Sequence, residues 1–168
     1  MMRAMTQILI LWHSRTGTAQ ALARAALAGA LKAEVEVSAR MACADAANAD
    51  DVLAADGLIF AGPENLAGLS GAMKEMVDRL YYPLLGRIEG RPYALIIAAG
   101  TDGEGAARQW ARIAAGWRLK PIAHPLIVRT GADRPETILA AKTVSAVELA
   151  RAHDLGAAMA AGLAPGIF

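Results

Sequence analysis

Five short runs, apolar at almost every position, punctuate the chain: Gln7 to Trp12, Glu34 to Ser38, Gly57 to Ala61, Pro92 to Ala98 and Pro121 to Val128. Runs of this kind suit strands covered on both faces, as in a parallel sheet buried between two layers of helices. Between them lie longer stretches with apolar residues at helical spacing, namely Thr18 to Lys32, about Asp45 to Ala54, Gly71 to Leu80 and Gly105 to Trp117. A last helix starts at Ser145, where Glu148 three residues on completes a capping-box pattern, and is predicted to run to Ala161 and stop at Gly162. Pro135 to Lys142 has the look of one more short helix inside a connection. The alternation predicts an α/β fold: one doubly wound, five-stranded parallel sheet with helices on both faces. Ligands of such sheets sit beyond the carboxyl ends of the strands, where the winding reverses.

Length and composition narrow the function classes. With 168 residues the chain suffices for one well-buried core and falls short of the two-domain layout usual in nicotinamide dehydrogenases. The expectation is therefore one domain over residues 1–168. Charges of both signs are scattered along the chain, with a formal net charge of +1, so no basic stripe is present for a nucleic-acid partner. A lone cysteine, Cys43, provides neither an internal disulfide nor a metal-binding pair, which fits a reducing cytoplasm. The apolar start from Ile8 to Trp12 is too short for a secretory h-region, and no stretch has the roughly 20 uninterrupted apolar residues of a membrane span. A soluble, cytoplasmic domain without a membrane span is expected.

Candidate chemistry concentrates in three loops. The first, Ser14-Arg15-Thr16-Gly17-Thr18-Ala19, lies between the first strand and the first helix. Glycine there lets the backbone approach an anion, the hydroxyls can donate to it, and the first-turn amides of the helix face it with the positive end of the dipole. Arg15 is expected to be the sole full positive charge near such an anion. Neither a G-x-x-x-x-G-K-[ST] triphosphate loop nor a G-x-G-x-x-G dinucleotide turn is present. The composition also suits an ordinary strand-to-helix turn, since Ser and Thr are favoured at helix starts. Ser14 to Thr18 nevertheless resembles the phosphate fingerprint of flavodoxins, [ST]-x-T-G-x-T, with Ala19 departing at the last position.

The second loop runs from Gly62 through Pro63, Glu64, Asn65, Leu66 and Gly68 to Ser70-Gly71, and leads into a helix that reads Met73-Lys74 and then Asp78-Arg79. This is similar to the second flavin loop of flavodoxin-like quinone and flavin reductases. On residue grounds Ser70 is an N-cap, Lys74 with Asp78 is an i,i+4 pair, and the helix itself is structural, whereas the loop has amides with which to meet a ring edge. The third loop, Gly100-Thr101-Asp102-Gly103-Glu104-Gly105, matches the third flavin loop in position and reads equally well as a flexible helix entry capped by Thr101 or Asp102. Asp102 and Glu104 have no His or third acid in the loop, so a metal site is not expected there.

Taken together, the loops resemble the flavodoxin-like family, from Gln7 to the end of the fourth helix. The resemblance implies one FMN-binding domain. It places FMN on Ser14, Arg15, Thr16, Gly17, Thr18 and Ala19, on Pro63, Glu64, Asn65, Leu66 and Gly68, and on Gly100, Thr101, Asp102, Gly103 and Gly105. Two functions stay open: an NAD(P)H-dependent oxidoreductase passing electrons to a quinone or similar small-molecule acceptor, or a non-enzymatic carrier between protein partners. Carriers of the family are acidic and cover the flavin ring with loop aromatics. Here the charge is near neutral and the second and third loops hold no aromatic residue, so the ring is open unless Trp12, Tyr81 or Tyr82 covers it. No protein acid or base is identified, the flavin carrying the chemistry itself. The family's reductases further imply a homodimer or homotetramer. Trp110 and Trp117 read as core or interface, and His124 and His153 as structural or exposed.

Overall fold

A computed structural model describes residues 5–33 and 36–168 of the chain. In chain order its elements are β1 (Thr6–Trp12), α1 (Thr18–Ala33), β2 (Val37–Cys43), α2 (Ala49–Ala54), β3 (Gly57–Asn65), β4 (Gly68–Leu69), α3 (Gly71–Leu84), β5 (Pro92–Ala99), α4 (Glu104–Gly116), β6 (Lys120–Pro121), β7 (Leu126–Arg129), α5 (Pro135–Leu139) and α6 (Ala146–Leu163). The main strands are parallel and ordered β2-β1-β3-β5, with β6 and β7 both pairing with the far edge of β5. This is the doubly wound α/β sheet that the alternation predicts. No helix among the described residues is long and apolar enough to cross a membrane.

Alternate residues of each central strand feed opposite layers, because successive side chains of a strand point to opposite faces. Leu9, Leu11, Leu58, Phe60, Leu95 and Ile97 join the core beneath α2, α3 and α4. Ile8, Ile10, Ile59, Ala61, Ala94 and Ile96 join the core beneath α1 and α6. Trp110 and Trp117 are buried in the first of these, with Trp110 stacked on Phe60 at 4.4 Å between centroids. The helices α1 and α6 approach to backbone contact at two glycines. A Cβ on Gly29 would lie 1.9 Å from the His153 carbonyl oxygen, and one on Gly156 would lie 1.9 Å from that of Ala26.

Several boundaries differ from the sequence reading, each for a local reason. The second strand is Val37–Cys43, not Glu34 to Ser38; Thr6 to Trp12 of β1 pairs residue by residue with Val37 to Cys43. Glu34 and Val35 lie outside the described residues. The helix expected from Asp45 begins at Ala49, because the Asn48 side chain accepts from the Asp51 amide at 3.0 Å and Asp51 returns a bond to the Asn48 amide. The fifth run splits into β6 and β7, separated by Ile122 to Pro125; Pro121 and Pro125 have no N–H to give to a ladder. Helix α6 passes through Gly162, which is needed instead where Phe168 folds back: a Cβ there would lie 1.9 Å from the Phe168 ring. At its start only half the capping box forms, Ser145 Oγ accepting from the Glu148 amide while the Glu148 carboxylate turns to Arg151.

Candidate functional site

The carboxyl ends of β1, β3, β5 and β7 surround an open cavity of about 630 Å³, within the range of small-molecule sites. Of the residues singled out in sequence, Ser14, Arg15, Thr16, Thr18, Ala19, Pro63, Glu64, Asn65, Leu66, Gly100 and Thr101 line it. Gly17, Gly68, Asp102, Gly103 and Gly105 are not part of that lining. The remaining lining, Ala67, Ala98, Ala99, Thr130, Ala132, Ile138, Leu139 and Lys142, was not singled out. The stretch after β7 was legible in principle, since all parallel strands end on the same side of the sheet. Nothing in the sequence signals Lys142, which meets Thr16 across 126 positions.

In the first loop Gly17 adopts a φ of 108°, which residues with a Cβ rarely reach, and Ser14 Oγ accepts its amide at 3.2 Å. Thr18, the first residue of α1, is buried, and its Oγ1 has no hydrogen-bond partner although the residue lines the cavity. A buried hydroxyl without a partner is costly, so it points to an acceptor or donor supplied by a ligand. Two cations line the same cavity. Arg15 is joined by Lys142, whose backbone N–H donates to the Thr16 carbonyl at 2.8 Å and whose Nζ donates to Thr16 Oγ1 at 3.3 Å. Arg15 is thus not the only full charge at the loop.

The second loop is a β-hairpin, with β4 folding back so that Glu64 faces Leu69 and Asn65 faces Gly68. Its tip holds two non-glycine residues in the left-handed region, Leu66 at φ 49° and Ala67 at φ 67°. Its amides are consequently less free than a plain loop's, and Leu69 N–H donates to Gln109 Oε1 at 2.7 Å. Glu64 ties this hairpin to the third loop. Its Oε1 accepts from the Gly103 amide at 2.8 Å and its Oε2 from the Ala106 amide at 3.0 Å, so the carboxylate caps α4 from a different strand. Helix α4 thus has Gly103 (φ 98°) at its N-cap position, and its first amides are taken by Glu64 and by Asp102, whose Oδ1 accepts from the Glu104 amide at 3.2 Å, as the expectation of Asp102 as a cap had it. Gly105 serves the same junction, for a Cβ there would lie 2.1 Å from the Ala67 carbonyl oxygen.

A family model described as NADPH-dependent FMN reductase matches residues 8–133, which is most of the chain and all three loops. The chain belongs to this flavodoxin-like, FMN-binding family. A flavodoxin of Aquifex aeolicus (strain VF5) is 32% identical over 101 residues, which covers 60% of this chain and 54% of that protein. The match thus spans about half the length of that relative. Among solved structures, a flavodoxin from the domain Archaea superposes with a TM-score of 0.74 at 14% identity, covering 93% of this chain and 97% of the other. A WrbA-like flavodoxin from Agrobacterium tumefaciens gives 0.74 at 16% identity, covering 93% and 96%. At such identities these structures show the shared fold.

The donor set of this FMN reductase relative fits an FMN phosphate. The cavity carries Arg15, Lys142 and three hydroxyls of the first loop, of which Thr18 Oγ1 is unpartnered, while Glu64, its only acid among the described residues, has both oxygens occupied by amides. No aromatic residue lines the cavity; Tyr81 and Tyr82 project from α3 with their own rings 5.1 Å apart, and Trp12 faces the core beneath α1. His13 lies beside the first loop and not in the cavity wall. Burial and the neighbouring Arg15 hold its imidazole below the ordinary histidine range, partly offset by Asp45. Its Nδ1 and the Ser70 hydroxyl share a hydrogen bond of 2.9 Å, linking the first loop to the cap of α3. Lys74 and Asp78 form the expected pair at 2.6 Å, and Arg79 holds the carbonyl oxygens of Ala44 and Ala47. Among the described residues no cluster of three His, Cys, Asp or Glu is placed to hold a metal ion.

Proposed function

We propose that this protein is an NAD(P)H-dependent oxidoreductase that holds FMN in the cavity at the carboxyl ends of β1, β3 and β5 and passes electrons to a quinone or similar small acceptor. The observation that carries this reading is the lining: polar and cationic at the first loop, mixed polar and aliphatic elsewhere, and free of aromatic rings among the described residues. Hydride transfer needs a nicotinamide ring stacked within about 3.5 Å of the flavin, and a covering indole or phenol would occupy that space. FMN, when bound, supplies the redox chemistry by taking a hydride and handing electrons on.

The chain's own residues bind and orient. The amides after Gly17 and the hydroxyls of Thr16 and Thr18 would hold the phosphate, with Arg15 adding charge. Pro63 to Leu66 and Gly100-Thr101 form the two sides between which the ring would lie, and Glu64 ties those sides together through the Gly103 and Ala106 amides. No side chain is required to move a proton. We further infer a cytoplasmic protein of one domain, assembled as a homodimer or homotetramer.

The competing reading, an electron carrier, is favoured by the kinship with the Aquifex flavodoxin. Steady-state oxidation of NADH and NADPH by FMN-loaded protein with several small quinones separates the two. Turnover well above that of free FMN, with no protein partner added, supports the enzyme. Turnover at the free-FMN background, with reduction proceeding in separate one-electron steps, supports the carrier.

A further inference from the structure

The segment after β7, most of which lies beyond the 8–133 match to the family, spans the cavity from the third loop to the first. At one end Thr130 N–H donates to the Ala99 carbonyl at 2.9 Å and Gly131 N–H to that of Gly100 at 2.8 Å. The fit there is close, for a Cβ on Gly100 would lie 2.4 Å from the Ala132 carbonyl oxygen. At the other end Lys142 is bonded through its backbone to Thr16. Between these anchors stands α5, none of whose residues is buried; Leu139 on the cavity wall is 78% exposed and Ile138 beside it 51%. A short helix that buries nothing in the protein, yet turns two large apolar side chains to a cavity wall, has a reason to exist if a ligand completes its packing.

Lys142 supplies a second reason. Its ammonium donates to the carbonyl oxygens of Ile138 at 2.9 Å and Ala140 at 2.5 Å and to Thr16 Oγ1 at 3.3 Å, and no carboxylate pairs with it among the described residues. The charge is thus held in place by neutral groups and left unneutralised, and the unpartnered Thr18 hydroxyl lines the same cavity. The Thr16 contact is the longest of the three, and an anionic oxygen competes with a hydroxyl for an ammonium on favourable terms.

We propose that Thr130 to Lys142 is a clasp over the phosphate end of the bound flavin, with Lys142 as its phosphate-contacting residue, so that the protein selects FMN over riboflavin. The proposal rests on the FMN reading above. It adds a residue from outside the phosphate loop to the anion site and gives Ile138 and Leu139 the task of covering the ligand.

Titrating FMN and riboflavin separately into wild-type protein, K142M and K142Q, and following flavin fluorescence, tests it. One lost charge-assisted bond predicts FMN binding weaker by about ten- to a hundred-fold in both variants, with riboflavin affinity within about two-fold of wild type. K142R should recover part of the loss. Thermal melts establish that the variants fold. A measurement on unaltered protein stands beside them: saturating FMN should slow tryptic cleavage after Lys142 more than riboflavin does. Equal losses for both flavins, or no loss, together with equal protection, would overturn the clasp while leaving the FMN site standing. Wild-type protein that takes up neither flavin would overturn the FMN reading and the clasp with it.

Discussion

Replacing Glu64 by Gln tests whether this side chain braces the protein or meets the ligand. The carboxylate accepts two backbone amides, from Gly103 at 2.8 Å and Ala106 at 3.0 Å, and sits at the positive end of α4. Hydrogen bonds to a charged group contribute about 1.5 to 3 kcal/mol each when well buried, and Glu64 is half-buried, so the lower end applies. Gln keeps one acceptor oxygen for one of the amides and turns an NH2 group toward the other. The expected cost is about 2 kcal/mol of stability, a fall in Tm of about 4 to 8 °C for a chain of this size. Urea unfolding followed by far-UV circular dichroism measures it. Glu89→Gln is the control, since its partner Arg118 is 3.8 Å away at the surface and such changes stay within about 0.5 kcal/mol. If Glu64→Gln matched that control in stability but lost flavin affinity, Glu64 would be a ligand contact and the bracing argument would be wrong.

Three further outcomes follow from the same geometry. Gly17→Val should weaken FMN binding at least ten-fold with a smaller loss of stability, because the left-handed φ of 108° is strained for valine while the space around it is open, the nearest atom to a Cβ being 3.7 Å away; equal FMN affinities in fluorescence titrations would make the loop a mere turn. Arg15→Ala should cost about 1 to 2 kcal/mol of FMN affinity, shrinking in high salt, and a salt-independent loss would mean a buried bidentate contact instead. His13, held below its ordinary value by burial and by Arg15, takes a proton in the unfolded chain before it does in the folded one. Its contribution is therefore complete above about pH 6.5 and lost as pH falls further, so His13→Gln should flatten that acid limb of the stability profile, which urea midpoints at stepped pH would reveal.

How far the sequence could be read depended on whether a feature was local. The strands of the sheet centre were legible because Ile8 to Leu11, Leu58 to Ala61 and Ala94 to Ala99 are covered on both faces and so are apolar throughout. The second strand was misplaced because it lies at the sheet edge, where Ala39, Arg40 and Ala42 meet no demand for burial on both sides. Pro63 to Asn65 extend β3 only because the chain doubles back at Leu66 and Ala67, and neither residue announces a tight turn as Gly or Asn would. Among site residues, the first loop could be read as an anion site from its own composition. Glu64 could not be recognised as a cap, because the helix it serves begins 40 positions later, at Glu104. Lys142 was beyond reach for the same reason.

These long-range ties change what the glycines of the second and third loops are for. Flexibility would be the natural inference from Gly68, Gly100, Gly103 and Gly105, yet each marks a tight junction: Gly68 against the Gln109 side chain, Gly100 against Ala132, Gly103 against Ile127 and Gly105 against Ala67. The hairpin tip keeps two non-glycine residues in left-handed conformations, a strain of about 1 kcal/mol or more apiece that persists only where surroundings impose it. Here the imposing contacts are the Glu64 brace on one side and the Gly105 junction on the other. Folding thus sets the spacing between the second and third loops before any ligand arrives, which lowers the ordering cost that binding would otherwise incur. A single methyl at Gly105 should expose this arrangement, because it must drive the Ala67 carbonyl away from α4 and widen the cavity. Gly105→Ala is accordingly expected to lower FMN affinity several-fold, even though Ala is the better helix former by about 1 kcal/mol and an open helix start would welcome it. Unchanged affinity together with a higher Tm would mean that the hairpin tip yields freely and that the cavity is shaped only when the ligand binds.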